Sequence, residues 1–269
     1  MVVKILCLHG GSTNGKFLKF QLSRLAEFLG DEIQLDFIDA VVPWRHPVEP
    51  AFARAFPNES EHFGWFHFEN ADASVGKKVI FEVSNELRWT GHERSLAQLD
   101  SVIETHGPYD AILGFSQGSI MATLLVARAV VRNKPIPFNL VILFNNIAIR
   151  DHSVRRQFKL DGAPLPVKSV IVRGTSDHFY TYGKDLERHF SVNRQQVIEH
   201  TEGHRVPKSE EVLQSIAESI RAGLDLPRIR APAPQRPPLF DGYGNVLDEG
   251  RSIRVMPASS RFLPPLGKM

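Results

Sequence analysis

The sequence predicts an α/β fold in which a mostly parallel sheet is flanked by helices. Short apolar runs alternate along the chain with amphipathic segments of helical periodicity, a pattern typical of repeated strand–helix units. Residues 140–143 are continuously apolar, as expected for a parallel strand that is buried on both faces. Around residues 114–118, a short apolar run, a glycine-flanked turn and a long helix-forming run follow one another.

The hydrophobic pattern predicts each element in turn. Strands are expected at residues 2–8, 33–38, 109–113, 138–144, 167–172 and 195–200. Helices are expected at residues 17–29, 91–106, 119–128 and 209–220, with further helical candidates at 75–83 and 150–160. The loops that follow the strands are therefore expected to meet at the carboxyl edge of one sheet.

The composition limits the classes of function. The net charge is only +2, which gives no electrostatic case for a nucleic-acid partner. No apolar run reaches the 18 or so residues of a membrane span, and the start lacks a signal-peptide pattern. The single cysteine, Cys7, excludes an internal disulfide and favours a reducing compartment, so a cytoplasmic location without a membrane partner is expected.

The character of the chain changes after residue 224. Five prolines and three arginines alternate between residues 227 and 238, which predicts an extended tail at 225–269 after a folded domain at 1–224. The tail holds seven Lys or Arg against four Asp or Glu, so it carries +3 and the remainder −1. A partner contact and a tail without a role remain equally open.

Residues 114–118 match the pattern G-x-S-x-G, with Ser116 at its centre. In its strand–turn–helix setting this pattern predicts a nucleophile elbow, in which a strained turn exposes the serine hydroxyl. The helix that follows would direct N–H groups, that of Gln117 first, at an oxyanion. The simpler alternative is that Ser116 only caps the helix.

Two further residues complete a candidate catalytic triad. Asp177 lies in the loop after a late strand, where it could accept a hydrogen bond from a histidine; an Asx turn is the alternative, and Asp185 is a poorer candidate. His204 follows the last predicted strand. The order Ser116, Asp177, His204 is the one used by α/β-hydrolases. His200 and His204 lack a helix to align them as ligands, so no metal site is expected.

The loop at residues 9–16 allows two interpretations. His-Gly-Gly directly after the first strand resembles esterase loops that donate a backbone N–H to an oxyanion, with Gly11 the first candidate donor and Ser12 the next. Alternatively, Gly10, Gly15 and Lys16 approximate a phosphate-binding P-loop. That motif needs a Ser or Thr where this chain has Phe17.

Residues 42–68 are rich in aromatic side chains and prolines, which predicts a cap segment extending over about 42–90. We expect this cap to line a substrate cleft, although its rings could equally fill a satellite core. His62 and His67 lack metal-ligand spacing. The candidate substrate-binding residues, three in the cap and one beside the candidate acid, are Trp44, Trp65, Phe66 and Phe179.

Together, residues 5–10, 64–66, 109–118, 174–177 and 203–207 resemble the fungal FSH-type serine hydrolases, a branch of the α/β-hydrolase superfamily. The resemblance covers roughly residues 1–221. It implies Ser116, Asp177 and His204 as the triad and ester or thioester substrates, in some members presented by a polyketide synthase. The chain departs from the family at Gly11-Ser12, Asn145-Asn146 and His178-Phe179, which leaves the choice of substrate open.

The sequence therefore predicts an α/β-hydrolase with a small aromatic-rich cap that cleaves an ester or thioester through an acyl-enzyme, without metal or cofactor. The resemblance suggests an acyl or polyketide thioesterase or esterase of fungal secondary metabolism. A general carboxylesterase for small esters is the main alternative. A nucleotide-binding protein and a catalytically inactive scaffold are the remaining hypotheses.

Overall fold

Ten strands are found in the part of the chain that the structure describes. The structure is a computed structural model, and it describes residues 2–48, 50–69 and 87–227. In chain order the strands are β1 (Val3–Leu8), β2 (Ile33–Ile38), β3 (Val42–Pro43), β4 (Phe63–Gly64), β5 (His67–Phe68), β6 (Trp89–Thr90), β7 (Ala111–Phe115), β8 (Leu140–Phe144), β9 (Lys168–Gly174) and β10 (Gln195–His200). The six strands predicted from the pattern are all present, with ends shifted by a few residues.

Seven α-helices accompany them within the same described ranges. They are α1 (Gly15–Leu29), α2 (Pro50–Ala55), α3 (His92–His106), α4 (Gln117–Val131), α5 (His152–Gln157), α6 (Tyr180–Glu187) and α7 (Glu210–Gly223). The helix α1 begins two residues before the predicted start because the Asn14 side chain caps it, accepting a hydrogen bond from the Phe17 amide at 3.0 Å. The helix α6 has no counterpart among the predicted elements.

Six of the strands form one sheet in the order β10-β9-β8-β7-β1-β2, and all five pairings are parallel. This confirms the predicted fold class. The strand order reverses between β1 and β7, where Leu8 pairs with Gly114. The loops after these two strands therefore lie side by side at the carboxyl edge, which is where open α/β sheets bind ligands.

Each face of the sheet is covered by its own apolar core. Along β1, Leu6 and Leu8 belong to one core, whereas Ile5 and Cys7 belong to the other, as the alternation of side chains along a strand requires. The first core contains side chains from α3 and α4, and the second contains side chains from α1 and α7. The predicted amphipathic helices thus bury their apolar faces on the sheet.

The aromatic segment after β2 forms two short antiparallel pairs, β3–β4 and β5–β6. Phe66 stacks on Trp89 with ring centroids 4.1 Å apart, and the Trp89 amide donates to the Asp151 carboxylate at 2.7 Å. This part of the predicted cap therefore belongs to the core. The helical candidate at 75–83 lies outside the described residues, as does the tail beyond residue 227.

The close approach of α4 to β1 yields a stability prediction. A Cβ at Gly118 would lie 2.2 Å from the Leu8 carbonyl oxygen, so Gly118→Ala must force two backbone segments apart. We expect the free energy of unfolding to fall by about 3 kcal/mol or more, measured by urea denaturation. At Gly203 a Cβ would meet Ser176 only at 3.5 Å, so Gly203→Ala is the matched control and should cost about 1 kcal/mol at most. Equal stability of the two variants would contradict the packing described.

Candidate active site

Ser116 occupies the sharp turn between β7 and α4. Its backbone lies at φ 54° and ψ −113°, a strained conformation for a residue with a side chain. The turn is possible because Gly114 and Gly118 lack side chains; a Cβ at Gly114 would lie 2.3 Å from the Gly118 carbonyl oxygen. The Ser116 hydroxyl is buried and has no hydrogen-bond partner among the described residues. This is the geometry of an elbow that presents a hydroxyl for reaction rather than of a serine that caps its helix.

Asp177 and His204 form a hydrogen-bonded pair beside this turn. The His204 Nδ1 and the Asp177 Oδ2 are 2.6 Å apart, and the Phe179 amide donates to the other carboxylate oxygen at 2.8 Å. Burial alone would raise the pKa of Asp177. The hydrogen bond and charge of His204, with smaller contributions from the Phe179 amide and His178, outweigh it and lower the pKa. Asp177 is therefore a buried carboxylate that holds its charge.

The alternative acid, Asp185, has other partners. Its carboxylate lies 3.1 Å from the Arg155 guanidinium and 3.6 Å from that of Arg188. It is thus part of an ion-pair network on α6, while Asp177 is bonded to the histidine.

The His204 ring is held by aromatic packing. The rings of Phe115 and Phe179 both lie 5.2 Å from it, and both meet it edge-on. Phe115 directly precedes Ser116, so the histidine packs against the end of the strand that carries the serine. His204 and Ser116 both line one cavity of about 810 Å³.

Asn145 joins the acid to the histidine loop. It follows β8 with φ 46°, and its side-chain Nδ2 donates to Asp177 Oδ2 at 3.1 Å and to the Gly203 carbonyl at 3.0 Å. Asparagine tolerates this left-handed conformation better than most residues do. In the sequence, Asn145 stands out only as a departure from the family pattern, and this contact could not be predicted from it.

The loop after β1 is fixed by the buried ring of His9. The Ala40 amide donates to His9 Nε2 at 3.0 Å, so the neutral ring must carry its proton on Nδ1, which lies 2.7 Å from the Gly10 carbonyl oxygen. The Ser12 amide donates to the Phe63 carbonyl at 2.9 Å. The expectation that Ser12 offers its N–H to an oxyanion is therefore wrong for this structure, because that donor is already bonded.

The Gln117 side chain connects three parts of the site. Its Oε1 accepts from the Trp65 amide at 3.0 Å, and its Nε2 donates to the Phe66 carbonyl at 3.3 Å. The same side chain lies against Gly11, where a Cβ would approach it to 2.7 Å. The Gln117 N–H is the first of α4, where backbone donors have no acceptor within the helix. Gln117 thus places its own amide next to the loop that carries Gly11.

The P-loop alternative does not fit this loop. A phosphate-binding loop needs unoccupied backbone N–H groups. Here the Gly15 amide donates to the Asp39 carboxylate at 2.7 Å, the Phe17 amide donates to Asn14, and the Ser12 amide is also bonded. The ammonium of Lys16 pairs with Glu59 at 3.3 Å. The amides of Ser12, Gly15 and Phe17 are therefore not free to bind a phosphate.

The cavity beside Ser116 is lined by residues other than the predicted substrate-binding residues. Its apolar lining consists of Phe17, Phe20, Ala55, Phe115, Val206 and Pro207. The four predicted substrate-binding residues do not line it. Trp65 and Phe66 are completely buried, and Phe179 is buried against His204. Trp44 is only partly buried. For Trp65 and Phe66 this corrects the prediction, because their side chains are buried in the core and cannot contact a ligand.

The described residues contain no group of three or more His, Cys, Asp or Glu side chains arranged to hold a metal ion. Cys7 is fully buried in β1, and burial, followed by the charge of Asp36, raises the pKa of its thiol well above the usual value. Within the described ranges, no helix is long and apolar enough to cross a membrane.

Comparison with known proteins identifies the family of the chain. A family model described as serine hydrolase (FSH1) matches residues 1–216. The chain belongs to this family. It is therefore a serine hydrolase, and its fold is that of the α/β-hydrolases.

Individual relatives are distant. Esterase FPY3 of Fusarium mangiferae is 25% identical over 216 residues, which cover 77% of this chain and 89% of that protein. Esterase OVCA2 of Danio rerio is 24% identical and covers 76% of this chain and 90% of its own length. Among solved structures, a variant of SOBER1 from Arabidopsis thaliana matches with a TM-score of 0.51 at 16% identity, covering 83% of this chain and all of that one. This structural likeness supports the fold alone.

We predict that Asn145 orients the Asp177–His204 pair. Asn145→Gly keeps the left-handed backbone but removes the donor to the Asp177 carboxylate, so kcat for ester hydrolysis should fall about tenfold with little change in KM. The neighbouring Asn146 is buried, and its side chain makes no hydrogen bond to any described residue, so Asn146→Ala is the matched control and should retain kcat within about threefold. A larger loss in the control would contradict the assignment.

The lowered pKa of Asp177 predicts a pH-dependent contribution to stability. A carboxylate with a lower pKa in the folded than in the unfolded state stabilises fully above its unfolded value, close to 3.8, and loses this contribution as pH falls toward the folded value. The difference in free energy of unfolding between wild type and Asp177→Asn should therefore shrink from pH 5.5 to pH 3. Other carboxylates are common to both proteins and cancel. A difference that grows on acidification would contradict the sign.

Proposed function

We propose that the chain cleaves an ester or thioester with Ser116 as nucleophile, His204 as general base and acid, and Asp177 as the residue that orients the histidine. The observation that carries the proposal is the 2.6 Å hydrogen bond between Asp177 and His204, because His204 lines the same cavity as Ser116. A serine on a strained turn, a histidine and a charged carboxylate are the three groups that this chemistry needs.

The hydrogen bond sets the direction of proton transfer. Because the ionised Asp177 can only accept, the neutral His204 ring carries its proton on Nδ1 and directs an unprotonated Nε2 away from the acid. That nitrogen takes the proton of the Ser116 hydroxyl as the oxygen attacks the acyl carbonyl. Asp177 then stabilises the imidazolium, which returns the proton to the leaving group.

An acyl-enzyme on Ser116 results, and water releases the acyl group by the same proton transfers through His204. We assign the oxyanion to the backbone N–H groups of Gln117 and Gly11, which stand at the head of α4 and in the loop held by His9. Ser12 is left out because its amide bonds to Phe63. One oxyanion donor is typically worth about 3 kcal/mol of transition-state stabilisation.

The size and lining of the cavity favour one class of acyl group. A cavity of about 810 Å³ with aromatic walls suits an apolar acyl group better than a very short one, which favours an acyl esterase or thioesterase over a general carboxylesterase for small esters. A substrate presented by a polyketide synthase in fungal secondary metabolism rests on the family resemblance. A relative named esterase also occurs in a fish, so membership of the family does not by itself favour that pathway.

A fluorophosphonate probe with mass spectrometry tests the nucleophile. We expect the probe to modify Ser116 in the wild type, and Ser116→Ala to abolish labelling and lower kcat about 10⁴-fold or more. Ser119 is a buried serine one turn further along α4, whose hydroxyl donates to the Ser116 carbonyl at 2.5 Å. Ser119→Ala is the matched control and should still be labelled. An unlabelled wild type would instead support the inactive-scaffold hypothesis.

A further inference from the structure

The cavity beside Ser116 has a one-sided charge distribution. Four of its lining residues are cationic, namely Arg24, Arg54, Arg205 and Lys208. None of the described residues that line it is an aspartate or glutamate. Since the chain as a whole carries nearly equal numbers of acidic and basic residues, 30 and 32, this imbalance is local to the cavity.

Three of these cations have no counter-charge among the residues that the structure describes. Arg24 is neutralised by Glu27 and by Glu210, the latter at 2.7 Å. In contrast, Arg54, Arg205 and Lys208 make no ion pair with any described residue, and all three are exposed. A nearby carboxylate, that of Glu202, accepts a hydrogen bond from the Lys208 backbone amide at 2.6 Å and does not line the cavity.

The cations come from two segments. Arg54 is in α2 of the aromatic segment, whereas Arg205 and Lys208 follow His204 in the loop after β10. Both segments line the same cavity, so the positive charges contribute to one field at its walls. Fields of one sign in a cleft raise the local concentration of oppositely charged ligands.

Part of the remaining wall is apolar. Phe17 and Phe20 of α1 line it, and Phe20 is 58% exposed, so its ring is accessible to a ligand in the cavity. Phe20 contacts Phe56 edge-on at 5.8 Å, which holds its ring in place. A ligand that uses both walls needs an apolar body and an anionic group.

We propose that the substrate is an ester or thioester with an apolar part and a separate carboxylate or phosphate group. This inference rests on the proposed function of Ser116. The apolar part lies along Phe17 and Phe20, and the anionic group is bound by Arg54, Arg205 and Lys208. The anion belongs either to the acyl group or to the leaving group, and the chemistry of its recognition is the same.

Two substrate pairs distinguish these sources. The p-nitrophenyl ester of hexanoic acid is compared with the mono-p-nitrophenyl ester of adipic acid, which adds a carboxylate to the acyl chain. The hexanoyl thioester of N-acetylcysteamine is compared with that of coenzyme A, which adds phosphates to the leaving group. In at least one pair, kcat/KM for the anionic substrate should be about tenfold higher than for the neutral substrate at low salt. The ratio of the two kcat/KM values should fall toward one at about 0.5 M NaCl.

Variants test whether the named residues cause the preference. The triple variant Arg54→Gln, Arg205→Gln, Lys208→Gln should lower the anionic-to-neutral ratio about tenfold. Lys134→Gln removes an exposed cation before the amino end of β8, at the opposite edge of the sheet, and should leave the ratio unchanged. Salt dependence in the wild type provides a test that does not require the variant to fold.

The outcomes separate this inference from the proposed function. If the protein reacts with the fluorophosphonate at Ser116 and cleaves both members of each pair equally, the anionic substrate is overturned and the hydrolase mechanism stands. A preference that neither salt nor the triple variant alters also overturns it. If Ser116 does not react and neither ester nor thioester is cleaved, the proposed function fails and this inference fails with it.

Discussion

The close approach of α4 to β1 at Gly118 is the constraint on which the candidate site depends. Without side chains at Gly114 and Gly118, the chain can turn so sharply after β7 that Ser116 adopts a positive φ and its hydroxyl lies at the edge of the sheet. The same turn starts α4 beside the loop after β1. The Ser116 hydroxyl and the Gln117 amide are therefore positioned by backbone packing.

A second layer of contacts holds the loops that this turn brings together. The Gln117 side chain bonds the aromatic segment at Trp65 and Phe66, and the Trp65 indole donates to the His9 carbonyl at 2.8 Å. On the other side, Asn145 joins Asp177 to the loop of His204. Nearly all of these groups are buried, where an unmade hydrogen bond is costly, so the network fixes one arrangement. The aromatic segment thus supports the site from within the core, and α1 supplies the cavity wall.

The comparison of sequence with structure shows where local patterns suffice. The positions of Ser116, Asp177 and His204 could be predicted from sequence because each residue follows a strand, and parallel strands end at one edge of the sheet. The hydrogen bonds of Asn145 could not be predicted, because they join loops more than 30 residues apart in the sequence. Trp65 and Phe66 were misplaced because composition reports that a ring is buried but not what covers it. The glycine loop was ambiguous because only the partners of its amides distinguish an ester-binding loop from a phosphate-binding one.

We propose that one serine, one histidine–carboxylate pair and two backbone amides converge on a single acyl carbonyl. A crystal structure of the protein after reaction with a phosphonate ester tests it most directly. We expect phosphorus bonded to Ser116, its free oxygen about 3 Å from the amide nitrogens of Gly11 and Gln117, and His204 within reach of the serine oxygen. Phosphorus on another residue, or an oxygen turned away from both amides, would contradict it.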